Sequence, residues 1–188
     1  MKVRHLIGAT AVSCLLLGAL ATPAFADTAA TGASVTGGAL TATLAGPVTF
    51  PAVAASHTDT ASAAPATSVD VNDLTSTGAG WGVTIAATDL TGALAAAAND
   101  IIPAANVSLT AIDAPAGVTP PGGAAPSPTG VAAGTPGAIG TAITLVSAAA
   151  GDGVGEYTDG FTLGVVVPAD SLADSYTGSV TVTATPLS

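Results

Sequence analysis

The stretch TGAGWGVTIAATD, residues 77–89, carries the only tryptophan of the chain at the head of a period-two run. Trp81, Val83, Ile85 and Ala87 fall on one face, while Gly82, Thr84, Ala86 and Thr88 fall on the other. Successive side chains of a β-strand point to opposite faces, so this alternation describes a strand with one buried side. An indole on the apolar side of such a strand is a core anchor rather than an exposed ligand platform. Gly78 and Gly80 lie just upstream, where a residue without Cβ lets the chain turn tightly into the strand.

The same pattern recurs toward the C-terminus. FTLGVVVP, residues 161–168, sets Phe161, Leu163, Val165 and Val167 on one face and stops at Pro168. SVTVTATP, residues 179–186, sets Val180, Val182 and Ala184 against Ser179, Thr181, Thr183 and Thr185. Shorter strands are predicted at 39–44, 48–50, 68–73, 106–112 and 142–148. Helical periodicity is weak, and the best candidate is one turn at 91–98 in the Ala-rich LTGALAAAANDIIPAA. About eight short strands between Gly/Pro/Asp-rich turns, with little or no helix, predict an all-β fold. The expected architecture is an antiparallel, Ig-like β-sandwich. Gly153 and Gly155, in GDGVGEYTDG, are predicted turn glycines ahead of the 161–168 strand. Residues 51–67 and the Pro/Gly/Ala-rich 114–139 are predicted as long loops, the second a mobile excursion from a sandwich edge.

The N-terminus, MKVRHLIGATAVSCLLLGALATPAFA, reads as a secretory signal peptide over residues 1–26. Lys2 and Arg4 open it, an apolar run follows, and Ala24-Phe25-Ala26 offers a cleavage site before Asp27. The apolar run continues past Cys14 through Leu15, Leu16 and Leu17, which places that cysteine inside the leader rather than at a lipid attachment point. The remainder, 27–188, is expected to form a single extracellular domain without a membrane span. Its end, VTVTATPLS, has no LPxTG-like sorting sequence, so any retention at the cell surface is expected to be non-covalent.

Charge narrows the function further. Both basic side chains lie in the leader, whereas all twelve acidic residues follow it. Binding to nucleic acid depends on cations that neutralise phosphates, so that class of partner is excluded. Attraction to an anionic membrane surface fails for the same reason. With Cys14 in the leader, the exported chain has no disulfide, and burial and backbone hydrogen bonds must carry its stability.

Catalytic chemistry is equally constrained. His57 is the one imidazole outside the leader, and ASHTDTAS gives it no strand end or glycine elbow. Lysine and cysteine nucleophiles are missing, and the paired carboxylates lack nearby aromatic residues to hold a sugar ring. No catalytic residue and no cofactor is therefore assigned. Asp152, Glu156 and Asp159 cluster among glycines and are the candidate calcium ligands, with an ordinary Asp/Gly turn as the simpler reading.

Three segments taken in order resemble the WxL cell-surface domain family, most closely its actinobacterial members. They are DLTSTGAGWGVTIAATDL (73–90), AGDGVGEYTDGFTLGVVVPA (150–169) and DSYTGSVTVTATP (174–186). GASVTGGALTATL (32–44) looks like the family's first strand, so the likeness runs from about Thr31 to Pro186. The resemblance implies non-covalent attachment to the Gram-positive cell wall, through peptidoglycan or another wall polymer. It also implies a place in extracellular surface complexes; a self-associating or partner-bound subunit of a surface assembly is the alternative reading, and a calcium-dependent adhesion module a third. The family motif, Trp-x-Leu, falls on Trp81, Gly82 and Val83, with valine in the place of leucine. The family's second tryptophan motif has no counterpart in SVTVTAT. Tyr176, just ahead of that strand, is expected to bond its hydroxyl to nearby backbone and lock a corner.

Twelve carboxylates without cationic partners repel one another. Added salt or calcium is therefore expected to raise the melting temperature followed by circular dichroism, and a fall would show that hydrogen-bonded turn aspartates dominate.

Overall fold

All three long alternating runs are strands in the computed structural model, which describes residues 34–94 and 100–188. Residues 1–26, the expected leader, lie outside this description, as do residues 95–98 of the predicted helical turn. Val35–Ser188 forms one compact unit.

In chain order the first strands are β1 (Leu40–Leu44), β2 (Thr60–Ala63), β3 (Thr67–Asp73), β4 (Trp81–Ala87) and β5 (Leu90–Gly92). Next come β6 (Ile101–Ile102), β7 (Val107–Ile112), β8 (Ala116–Gly117), β9 (Val131–Ala133) and β10 (Gly137–Ala138). The last are β11 (Ile143–Ala148), β12 (Gly155–Val167), β13 (Tyr176–Thr177) and β14 (Val180–Pro186). A 3-10 turn at Ala104–Asn106 leads into β7.

The fold is an all-β, antiparallel sandwich. One sheet runs β1-β3-β12-β7-β10, and the facing one runs β14-β4-β11-β9. A small third sheet, β13-β5-β6, lies at one end of β4. The 13-residue β12 is the spine of the first sheet. Its N-terminal half pairs with β3 and β8, and its C-terminal half pairs with β2 and β7. A register shift between Thr162 and Leu163 accommodates the change of partner along β7. In the facing sheet β4 is flanked on both sides, by β14 and β11.

One core joins the two sheets. Trp81, Val83 and Ile85 of β4 and Leu145 of β11 pack in it with Val69, Val71, Leu109, Tyr157, Phe161 and Leu163. The tryptophan is fully buried, as its place in the alternation requires. Its indole N–H donates to the Gly153 carbonyl at 2.8 Å, and its ring meets Tyr157 with centroids 6.0 Å apart. The Tyr157 hydroxyl donates to the carbonyls of Ser127 and Val154.

Several sequence readings need correction. Residues 48–50 form no ladder, although Val48 and Phe50 still turn toward the core. The supposed loop 51–67 contains β2, whose four residues alternate and add to the end of β12. Residues 114–139 are not an excursion: β8, β9 and β10 lie in them, and Ile139 is fully buried. Their backbone is stitched to the sheets by Val118 N–H to Glu156 O, Ala149 N–H to Gly130 O and Ile139 N–H to Val107 O. Pairings of two or three residues are too brief to leave a readable alternation, so glycine and proline dominated the sequence signal. The strand predicted at 161–168 begins six residues earlier, at Gly155. The predicted helical turn opens instead on β5.

Gly153 shows how tightly the tryptophan is fitted. Its φ is +80°, and a Cβ there would overlap that of Ala148 and stand 2.7 Å from the indole nitrogen. Gly153→Ala is therefore expected to cost about 2–4 kcal/mol in denaturant unfolding, from the left-handed backbone and overpacking together. Tryptophan emission should shift to the red in the same variant; an unshifted spectrum and unchanged stability would show that this fit is loose.

Candidate functional site

The residues matching the family motif do not form an exposed surface. Trp81 and Val83 are both fully buried, and Gly82 between them turns its hydrogen atoms to the outer side of β4. Gly78 and Gly80, with φ of +65° and +79°, bring the chain into β4 as expected. Gly80 also lies against Ala148 and Ala149, where a Cβ would stand 2.6 Å from the Ala148 carbonyl. Tyr176 donates its hydroxyl to the Leu172 carbonyl at 2.8 Å, which locks the corner before β14. Burial first, and then the charges of Asp100 and Asp174, hold its phenol above the usual tyrosine range.

The three candidate calcium ligands are dispersed. Asp152 stays in the turn, where its carboxylate packs against Gly130. Glu156 and Asp159 are in β12 rather than a turn, and their spacing of three sends them to opposite faces. Gly155, with φ of +121°, starts that strand instead of serving a turn within it, while Gly153 holds its predicted turn. Asp159 points inward between Tyr157 and Phe161, 1% exposed, and neither carboxylate oxygen has a hydrogen-bond partner. Burial first, and then the charge of Asp113, push its carboxyl up to about 7. Among the described residues no group of three or more His, Cys, Asp or Glu side chains is placed to hold a metal.

His57 sits at the surface, 98% exposed, with its Nδ1 2.5 Å from Asp170. Asp170 itself adopts φ of +62°. Ser56 and Ser171 border the same shallow depression. The Ser171 hydroxyl donates to the Pro168 carbonyl, and that of Ser56 bonds to Thr58, so neither is presented to the imidazole. An exposed histidine with no hydroxyl presented to it lacks the nucleophile contact that general-base work requires.

A larger feature is a cleft of about 630 Å³ at the end of the sandwich near Tyr176. The segment 47–56 forms one wall and the segment 171–178 the other. Leu44, Phe50, Leu90, Val167, Leu172 and Val180 give it an apolar lining, and Asp174 and Tyr176 place polar groups on one side. Concave apolar surfaces with few converging polar groups are where small ligands and chain segments bind.

Comparison with protein-family models, characterised proteins and solved structures finds no match.

The end of the cleft rests on the small sheet, and here the structure brings together residues that the sequence reading passed over. Tyr176 pairs with Gly92, and the register of β5 with β6 carries Asp100 to the other side of Gly92. Asp174 accepts hydrogen bonds from the backbone N–H groups of Leu94 at 2.8 Å and Ser175 at 2.7 Å. These bonds hold its carboxyl below the usual aspartate range. Asp100 and Asp174 are 74 residues apart in NDIIP and LADSY, and the only local signal was a lone acid beside apolar residues.

Asp159 gives a pH prediction with a definite sign. Its folded pKa lies above the ordinary carboxylate value, so its contribution to stability is present at low pH. That contribution is lost as pH rises from about 4 through about 7. Asp159→Asn should flatten this part of the stability profile and be more stable than the parent at alkaline pH, on the order of 2 kcal/mol. Urea unfolding across that range checks it; a parent profile that rises with pH there would show that Asp159 is not the controlling group.

Proposed function

We propose that the chain is a secreted, non-enzymatic cell-surface domain, retained non-covalently on the Gram-positive cell wall, and that the cleft beside Tyr176 receives the wall polymer. The observation carrying this reading is the cleft itself: a concave, mainly apolar surface with Phe50 and Tyr176 in its walls. Aromatic faces and a few hydrogen-bonding groups suit a sugar-peptide polymer, while the absence of lysine and arginine after residue 4 disfavours an anionic one.

Support also comes from the ordered resemblance to WxL domains across the four quoted segments, and from the leader-like N-terminus that would send the chain outside the cell. The buried position of Trp81 directs the proposal away from the motif and toward the cleft. A non-enzymatic role agrees with the solvated His57 and the engaged hydroxyls of Ser56 and Ser171.

A second reading, a subunit of an extracellular assembly, is favoured by β14. That strand is at the edge of its sheet among the described residues, and its seven residues carry no charge. Free edges of this kind accept a further strand.

Purified cell-wall sacculi test the first reading. The chain is expected to sediment with them, and Leu172→Ser, on the opposite wall of the cleft, should reduce the retained fraction about tenfold in a variant that circular dichroism shows to be folded. If the protein stays in the supernatant and sediments as a large oligomer without sacculi, the assembly reading replaces wall binding.

A further inference from the structure

The row formed by Tyr176, Gly92 and Asp100 crosses three adjacent strands' ends, with the glycine in the middle. Gly92 has no side chain to separate its neighbours, and a Cβ there would overlap the Asp100 carboxyl. Asp100 is fully buried, and among the described residues neither of its oxygens accepts from an N–H or a hydroxyl. Asp174 stands within side-chain hydrogen-bonding reach of it, and the Asp100 charge helps raise the Tyr176 phenol from the same row.

A buried carboxylate needs a counter-charge, because its desolvation is otherwise uncompensated. The described residues offer none. There is no lysine or arginine after residue 4, and His57 is at the surface with Asp170. The balancing charge must therefore come from the solvent. Carboxylate oxygens without competing nitrogen or sulfur donors match a hard divalent cation of the calcium type. Among the described residues no N–H or hydroxyl donates to either Asp100 oxygen, which leaves its carboxyl and the neighbouring Asp174 carboxyl to share such an ion. The Asp174 oxygens accept from the backbone N–H groups of Leu94 and Ser175, and a carboxylate has lone-pair capacity beyond these two bonds.

We propose that Asp100 and Asp174 bind a calcium ion at the end of the small sheet, with backbone carbonyls and water completing the shell. The site differs from the Asp152, Glu156 and Asp159 set suggested by their sequence clustering. It joins the start of β6 to the segment carrying Asp174 and Tyr176, so the ion braces one wall of the cleft. This inference does not depend on what the cleft receives.

Terbium(III), whose luminescence is sensitised by a nearby tyrosine, is the probe. Titration of the purified chain is expected to give Tyr-sensitised emission that calcium displaces. Asp100→Asn should weaken terbium binding roughly tenfold or more, whereas Asp152→Asn should leave it unchanged. Circular dichroism establishes that each variant is folded, and Asp174→Asn provides the same test if Asp100→Asn is not. Emission indifferent to both substitutions, or lost only in Asp152→Asn, overturns the proposal. So does the absence of emission in a chain whose stability responds to protons but not to calcium, because the proton is then the counter-charge.

Discussion

A single hydrogen bond, from the fully buried Trp81 indole to the Gly153 carbonyl, joins the two halves of the sandwich inside their shared core. Trp81 begins the central strand of one sheet, while Gly153 ends the turn that launches the spine of the other. The bond satisfies a polar group that would otherwise be stranded in the core, and in doing so it sets where β12 starts relative to β4. Tyr157, two residues into the spine after Gly155, then meets the indole and ties its own hydroxyl to the 127 segment. The aromatic pair thus adds a side-chain tie to the strand pairings that already order the Pro/Gly-rich stretch.

Much of this was legible in the residues. Period-two alternation located β4, β14 and the second half of β12, and it placed Trp81 inward. The glycines before Trp81 and the hydroxyl of Tyr176 also serve as expected, because each answers a local steric or hydrogen-bonding demand. What escaped was non-local. The polar GEYTDG half of β12 looked like a turn because acids and glycines are turn residues, yet its partners on β3 and β8 impose an extended backbone. Asp100 and Asp174 meet only because β5 lies between their segments, a relation that no spacing in the sequence records.

The electrostatics of the chain give these buried acids unusual weight. In most proteins a carboxylate taken out of water recruits an arginine or lysine, and the resulting pair is part of the architecture. Here Asp73 is instead held by the backbone N–H and hydroxyl of Thr75, while among the described residues neither Asp100 nor Asp159 accepts from an N–H or a hydroxyl. Buried acids in such a chain make its folded state responsive to whatever small ions and protons its surroundings supply. That is a sensible coupling for a domain proposed to work outside the cell.

The outer edge of β14, hydrogen-bonded to no further strand among the described residues and flanked by β1, has a different consequence. It is seven residues of valine, threonine, alanine and a terminal proline, without a lysine to discourage an approaching strand. Protection against stacking of one copy on another must then be colloidal, supplied at a distance by the common negative charge of the whole surface. Screening that relieves repulsion inside one molecule also thins the barrier between molecules. The individual fold and the dispersed state therefore make opposite demands on ionic strength.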